Sequence, residues 1–243
     1  MAVPVWRSGV LAQAMVVKHD LRRGSWTRLW LVGLTVGCAI AIVLVAAREY
    51  GAARFLRTHD ADRMAVLATG QLPPVGYSHR ANQQVLMGCL RLQSGYYLAL
   101  LPPKDRQQVQ ASCGDLAKRI IAVAPTTAAA YLSLAYAAQD IGDSGERDLA
   151  LGRSQALGAY QSGLSTERIN LALPQAPAIS RAAQAALAAD LHLHFTTAWG
   201  RDRLAQLYAV TPDLREAITV AAELAPEAAQ RAFISAVMRA SQP

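Results

Sequence analysis

The stretch LWLVGLTVGCAIAIVLVAA, residues 29–47, has no ionisable side chain except the thiol of Cys38. As a helix it would be about 28 Å long, at about 1.5 Å per residue, which matches the hydrocarbon thickness of a bilayer. A soluble core helix of that length normally keeps a polar face, whereas here only Thr35 and the glycines interrupt the apolar surface. Small residues at 45–47 resemble a signal-peptide cleavage point, but the apolar core is too long for a signal. The stretch predicts a retained membrane-spanning helix.

Positive charge gathers just before this stretch. Five basic residues precede it, against the single acidic residue Asp20. The rest of the net charge of +7 is spread thinly over the chain, so no nucleic-acid partner is predicted. By the positive-inside rule the N-terminus is cytoplasmic, although Arg48, Arg54 and Arg57 weaken the asymmetry. A composition rich in Ala and Leu, with more Arg than Lys, is typical of a bacterial protein from a GC-rich genome. Together with the span and its orientation, this predicts a single-pass protein of the inner membrane with its bulk in the periplasm.

Two of the three cysteines lie beyond the span, where an oxidising compartment would let them pair. Apolar residues recur at helical spacing from Asn82 through Cys89, and the same spacing returns from Lys104 through Cys113. Two amphipathic helices are therefore expected to face each other across residues 102–103, with the second proline in the first turn of its helix. The cysteines' distances from this turn differ by about one helical turn, roughly 4.5 Å. A Cys89–Cys113 disulfide is predicted, with Cys38 free.

The sequence divides into four segments. Residues 1–28 form a cytoplasmic segment, in which 4–20 is either a helix on the membrane surface or a frayed tail, and Gly24-Ser25 is expected to break the helix before the span. Residues 29–47 form the transmembrane helix. Residues 48–81 form a juxtamembrane helix and a linker rich in Gly and Pro. Residues 82–243 form a periplasmic α-helical domain.

Helical patterns continue to the C-terminus without convincing alternating strands. Thr126-Thr127 is a candidate N-cap and Gly142 a candidate terminator for one helix, and a second is expected over 146–160. Further helices are expected to start near Thr166, Ala178, Arg201, Pro212 and Pro226. The predicted fold is all-α, one transmembrane helix followed by a stack of helical hairpins, each burying its apolar face against its neighbours.

Few residues suggest chemistry. Asp190, His192 and His194 suggest a metal site or a hydrolase, but two histidines two positions apart point about 200° apart on a helix. His59 and its acidic neighbours lie near a helix end, where capping and solvation explain them. Residues 162–168, SGLSTER, are interpreted as a loop plus an N-cap. Nucleotide-binding, nucleophile-elbow and zinc-protease motifs are absent from the sequence. We therefore expect no catalytic residue, no cofactor, no metal and no enzymatic activity.

The two helices expected over residues 128–142 and 146–160 resemble a tetratricopeptide unit. Tyr131, Leu134, Ala135 and Ala138 occupy the bulky and small positions of that family's first helix, and two further residues suit its second helix, Ala150 and Leu157. The chain departs from the family at Ser154, where a large apolar residue is expected, and at the loop 140–147, which is longer. The resemblance implies helical hairpins that bind protein partners.

A second resemblance covers about residues 122–239. The segments AYLSLAYAAQ, RSQALGAYQSGLSTERINLAL and GRDRLAQLYAV, residues 130–139, 153–173 and 200–210, are similar to small anchored proteins of bacterial exopolysaccharide and O-antigen loci. This implies a periplasmic adaptor that binds protein partners in envelope polysaccharide synthesis or export. The alternative is an accessory or assembly subunit of another membrane complex, such as a respiratory or photosynthetic one. Small residues spaced by four in the span, Gly33, Gly37 and Ala41, would pack against another transmembrane helix in that case.

Overall fold

The computed structural model describes the backbone of residues 9–241 and the side chains of residues 29–241. Within that part of the chain there are helices and loops but no strands, which confirms the all-α prediction. The chain forms two compact units, Met1–Arg48 and Glu49–Pro243. The amphipathic face predicted over residues 4–20 lies outside the described side chains.

The first helix, α1 (Gly9–Arg57), contains the apolar stretch. Its portion Leu29–Arg57 is long and apolar enough to cross a membrane, a property that signal sequences share. The apolar side chains of this stretch are exposed, with Trp30 at 75%. The break predicted at Gly24-Ser25 is wrong, because α1 runs through both residues. One glycine inside a helix costs only about 1 kcal/mol, which the strong helix formers Arg and Leu at positions 21–23 and 28–29 offset.

In the described chain, the unit Glu49–Pro243 contains the end of α1 and eleven further helices. They are α2 (Asp60–Ala68), α3 (His79–Gln93), α4 (Tyr96–Ala99), α5 (Pro103–Val123), α6 (Ala128–Asp140), α7 (Ser144–Leu157), α8 (Ser162–Ala172), α9 (Arg181–Thr196), α10 (Ala198–Val210), α11 (Arg215–Glu223) and α12 (Glu227–Ala240). Single 3₁₀ turns, Leu173–Gln175 and Pro212–Leu214, stand before α9 and α11. Successive helices pack along the chain from α5 to α7, and α9 then contacts α7, α8 and α10.

Residues 49–81, expected to be a juxtamembrane helix and linker, belong to this second unit. Ala52 and Leu67 are fully buried in its core. Glu49 Oε1 accepts the N–H groups of Tyr77 and Ser78 at 2.7 and 2.8 Å, and Oε2 accepts the Ser78 hydroxyl. Hydrogen bonds from Ser78 and Tyr77 hold the pKa of the Glu49 carboxyl below its usual value. This carboxylate therefore ties the end of α1 to the N-terminus of α3, where Ser78 is the N-cap.

The predicted hairpin and its disulfide are confirmed. Cys89 on α3 is bonded to Cys113 on α5, with the two Cα atoms 5.7 Å apart. Pro103 opens α5, as expected of a first-turn proline. The first arm ends earlier than predicted, because α3 stops at Gln93 and the turn at Ser94-Gly95 leads into the separate short helix α4.

Two helix boundaries depend on glycine. Gly142 ends α6 with φ +75°, which confirms the predicted terminator, since a left-handed residue after a helix favours glycine. Gly200 allows α10 to approach the end of α9 closely. A Cβ at this position would lie 2.5 Å from the carbonyl oxygen of His194 and 2.7 Å from Thr197 Oγ1.

Gly200→Ala is expected to destabilise the fold by about 1–3 kcal/mol, because the methyl group forces the α9–α10 junction apart. Gly152 on α7 is the matched control, since no atom lies within 4 Å of a Cβ built there. Gly152→Ala is expected to stabilise the protein by about 0.5–1 kcal/mol through the lower backbone freedom of alanine. Thermal unfolding of both variants, followed by circular dichroism in detergent, checks the opposite signs. Equal effects would contradict the close approach at Gly200.

Candidate functional site

Helix α9 presents two faces with different chemistry, and the candidate site is built on them. One face packs on α7 and α8 and carries Asp190 and His194, which are both buried. The other face carries Leu187, Leu191 and Phe195 toward an open apolar groove. The first face fixes the position of the helix, and the second lines the groove.

The buried face holds an ion pair. Arg168 on α8 contacts Asp190 through two hydrogen bonds of 2.7 Å, Nε to Oδ2 and Nη2 to Oδ1, and the two side chains are 2% and 0% exposed. The remaining guanidinium donors reach the carbonyl oxygen of Gly158 at 3.2 Å and the hydroxyl of Ser154 at 3.3 Å. The polar Ser154, which departs from the tetratricopeptide pattern, thus serves the buried charge. This network joins α7, α8 and α9.

A second buried pair fixes the N-terminus of α9. Arg147 Nε donates to Asp148 Oδ1 at 2.8 Å, and Nη1 donates to Gln139 Oε1 on α6 at 2.9 Å. The other oxygen of Asp148 accepts the backbone N–H of Ser180, the N-cap of α9. Helix α9 is therefore held in two places. The Asp148 carboxylate, which is bound by Arg147, holds it at Ser180, and the Arg168 guanidinium holds it at Asp190.

His194 lies beside this network as a buried imidazole. Its Nδ1 is 3.0 Å from the carbonyl oxygen of Asp190 and 3.2 Å from Ser165 Oγ, and its Nε2 is 3.2 Å from Thr166 Oγ1. Burial lowers the pKa of His194, although the neighbouring Asp190 opposes this effect. The neutral ring is therefore the form that the folded protein prefers.

Stability is expected to fall as the pH is lowered below about 6.5, the ordinary pKa of histidine, because protonation favours the unfolded chain when the folded pKa is depressed. Protonation of His194 lowers the free energy of unfolding by at most about 1.4 kcal/mol per pH unit. This loss stops once the pH falls below the pKa of His194 in the folded protein. Thermal unfolding at pH 7.5 and 5.5 measures the loss. His194→Gln should reduce this pH dependence, and His192→Gln, on the exposed side of the same helix, should retain it. Equal pH dependence in all three proteins would contradict this role of His194.

Ser165, His194 and Asp190 have the residue types of a catalytic triad but a different geometry. A triad needs the nucleophile and the acid on opposite ring nitrogens. Here Ser165 and the backbone of Asp190 both face Nδ1, and the Asp190 carboxylate is bound to Arg168. Ser165 is also fully buried. The arrangement of these three residues is therefore not that of a catalytic triad.

The histidine-rich stretch is helical, as predicted, and its members separate. His192 is exposed at the groove, whereas Asp190 and His194 are buried on the other face. Among the described residues no cluster of His, Cys, Asp and Glu could hold a metal ion. The loop predicted over residues 162–168 is wrong, because α8 begins at Ser162. The Thr166 hydroxyl donates to the carbonyl oxygen of Ser162 within the helix, which satisfies a side chain that otherwise favours a loop.

The open face of α9 forms one wall of an apolar groove of about 650 Å³, and α11 forms the other. The wall contributed by α11 is built of alanines, Ala217, Ala221 and the following Ala225, which are too small to fill the space to α9. Ile218 is the one buried residue of α11 itself. The rim is formed by Gln184, Ala188 and His192 on one side and by Asp213, Glu216, Val220 and Leu224 on the other.

Sequence reasoning did not find this groove. A signal was present, since Leu214, Ala217, Ile218 and Ala221 place an apolar stripe of small residues on one face of α11. The pattern identifies a packed face but not how much space it leaves. Comparison with protein-family models, curated proteins and solved structures finds no match to this chain.

Proposed function

We propose that this chain is a membrane-anchored, non-enzymatic adaptor whose tetratricopeptide-like helical unit binds a protein partner through the groove between α9 and α11. The groove carries the proposal. It is open and apolar, and Val220 and Leu224 on its rim are 54% and 84% exposed. Open apolar grooves are a recurring binding site for amphipathic helices of partner proteins. The wall on α9 is positioned rigidly by the buried Arg168–Asp190 pair, so the surface is formed before the partner arrives.

The proposed topology has residues 29–47 across the inner membrane, the N-terminus in the cytoplasm and the helical unit in the periplasm. The basic residues before the span support this orientation, and the Cys89–Cys113 disulfide supports an oxidising compartment. A periplasm-dependent reporter enzyme fused after Pro243 should be active, and a cytoplasm-dependent one should be silent. The opposite pattern would overturn the topology.

The proposed process is envelope polysaccharide synthesis or export, to which the resemblance over residues 122–239 points. Crosslinking in native membranes, followed by identification of the captured proteins, tests it. Recovery of polymerase, ligase or export components supports the process. Recovery of a stoichiometric respiratory or photosynthetic complex would instead favour the second candidate, an accessory or assembly subunit.

One observation favours that second candidate. Gly33, Gly37 and Ala41 form an exposed row of small residues on α1, and no atom lies within 4 Å of a Cβ built at either glycine. Such a row lets another transmembrane helix approach closely. Gly33→Leu combined with Gly37→Leu would release the chain from a membrane partner in this case. It would leave an adaptor that binds through the α9–α11 groove unaffected.

A further inference from the structure

We infer that the occupant of the α9–α11 groove is an apolar helical segment of the partner protein that presents a lysine or arginine to Asp213 and Glu216. This inference rests on the proposed function and specifies the chemistry of the partner. It depends on the shape of the groove, on the charge at its rim and on the absence of a neutralising cation among the described groove residues.

The shape fits a short helix. The wall of α9 extends from Gln184 to Phe195, which corresponds to about 17 Å at about 1.5 Å per residue. Three turns of a partner helix would cover that length and would place apolar side chains at positions i, i+4 and i+7 into the groove. The floor provides Leu187, Leu191 and Leu214 for these contacts.

The charge selects against an acidic occupant. Asp213 and Glu216 line one end of the groove, and Val220 and Leu224 line the other end of the same wall. Lysine and arginine are absent from the lining. Arg215 lies between the two carboxylates in sequence, but its guanidinium donates to the carbonyl oxygens of Tyr208 and Ala209 on α10.

Arg215 is therefore committed to α10, and the guanidinium also stacks over the Tyr208 ring at 5.6 Å. Neither Asp213 nor Glu216 has an ion-pair partner in the described part of the chain. A carboxylate pair beside apolar surface repels fatty acids and anionic phospholipids and attracts a cationic side chain. A basic amphipathic helix is the occupant that satisfies both halves of the groove.

A photo-crosslinking amino acid placed at Ala188, on the rim of α9, tests the inference with the full-length chain in native membranes. We expect a polypeptide adduct whose crosslinked segment has apolar residues at helical spacing and a lysine or arginine within one turn of one end. An adduct with lipid, an adduct with an acidic segment, or the lack of a polypeptide adduct would overturn the inference. The same amino acid at Tyr160, which is 89% exposed and outside the groove, reports partners bound elsewhere.

Charge variants test the electrostatic part. Asp213→Lys combined with Glu216→Lys should lower the adduct yield at Ala188 about tenfold, because like charges then face each other. The milder pair Asp213→Asn and Glu216→Gln should lower it about threefold, as expected for the loss of exposed ion pairs. Glu227→Lys, a charge reversal at an exposed carboxylate of α12 outside the groove lining, is the control and should leave the yield unchanged. Equal yields in all variants would overturn the role of the two acids.

The two levels of the proposal fail differently. If the crosslinker at Ala188 captures a protein through a segment without lysine or arginine, the groove-binding adaptor function stands and the basic occupant is wrong. If the crosslinker at Ala188 captures no protein, both are wrong, and capture at Tyr160 alone would place the partner on another surface. A synthetic peptide of the captured segment should bind the full-length chain about three- to tenfold more tightly than its Lys→Gln or Arg→Gln form, which isolates the basic contact.

Discussion

Arg168→Ala is expected to lower the free energy of unfolding by about 3–5 kcal/mol, because it leaves the carboxylate of Asp190 buried without its counter-charge. Both side chains are almost completely removed from solvent, at 2% and 0% exposure. The substitution also removes the donors that reach Ser154 and Gly158, so three helices lose a shared contact. For a unit of this size, about 3–5 kcal/mol corresponds to a fall of roughly 10 °C in Tm.

Arg231→Ala is the matched control for this prediction. Arg231 pairs with Glu227 at 3.1 Å, but the two side chains are 72% and 85% exposed. Surface pairs of this kind contribute about 0–1 kcal/mol. Thermal unfolding of the full-length protein in detergent, followed by circular dichroism, measures both variants. Equal effects at Arg168 and Arg231 would contradict the assignment of the buried pair.

A double substitution separates the charge from the packing. Arg168→Met together with Asp190→Leu removes both charges and keeps apolar volume between α8 and α9. It should recover much of the stability that Arg168→Ala loses, because no isolated charge remains buried. A double variant as unstable as the single one would show that the network around Ser154 and Gly158, rather than the uncompensated carboxylate, dominates the loss.

Local signals in the sequence predict the helices well. The apolar stretch 29–47 needs only its own composition to indicate a helix that could span a membrane. Pro103 starts a helix and Gly142 ends one, since a fixed φ and a permitted positive φ act at the residue itself. The two wrong predictions also come from local composition. Gly24-Ser25 and residues 162–168 have residue types typical of helix breaks and loops, but both segments are helical.

The tertiary fold and the candidate site depend on contacts between distant residues, which a single sequence does not display. Glu49 and Ser78 are 29 positions apart, and Arg168 and Asp190 are 22 apart. Nothing in the spacing of these residues identifies them as partners. The groove is harder still, because it results from space that Ala217 and Ala221 leave unfilled. Periodicity shows which face of α11 packs, whereas only the positions of α9 and α11 together show that the packing is incomplete.

Replacing Cys89 and Cys113 by alanine is expected to lower the free energy of unfolding by about 3 kcal/mol, because the unfolded chain gains the freedom of the loop that the disulfide closes. The two cysteines are separated by 24 positions, and both are fully buried in the core of the second unit. When the protein is alkylated without prior reduction, mass spectrometry should find Cys89 and Cys113 unmodified. Thermal unfolding in detergent then compares the double variant with the unsubstituted chain.

The single variants distinguish loss of the cross-link from loss of core volume. Cys89→Ala already opens the loop, so Cys113→Ala added to it should cost little more, whereas two independent cavities would give additive losses. Cys38→Ala provides the control, because Cys38 is exposed on α1 and outside the disulfide, and its substitution should leave Tm unchanged. Additive losses at Cys89 and Cys113, or two alkylated thiols in the untreated protein, would show that the bond does not stabilise the hairpin. A non-additive loss would show that the cross-link between α3 and α5 contributes as a single unit, independently of the side-chain volume at either position.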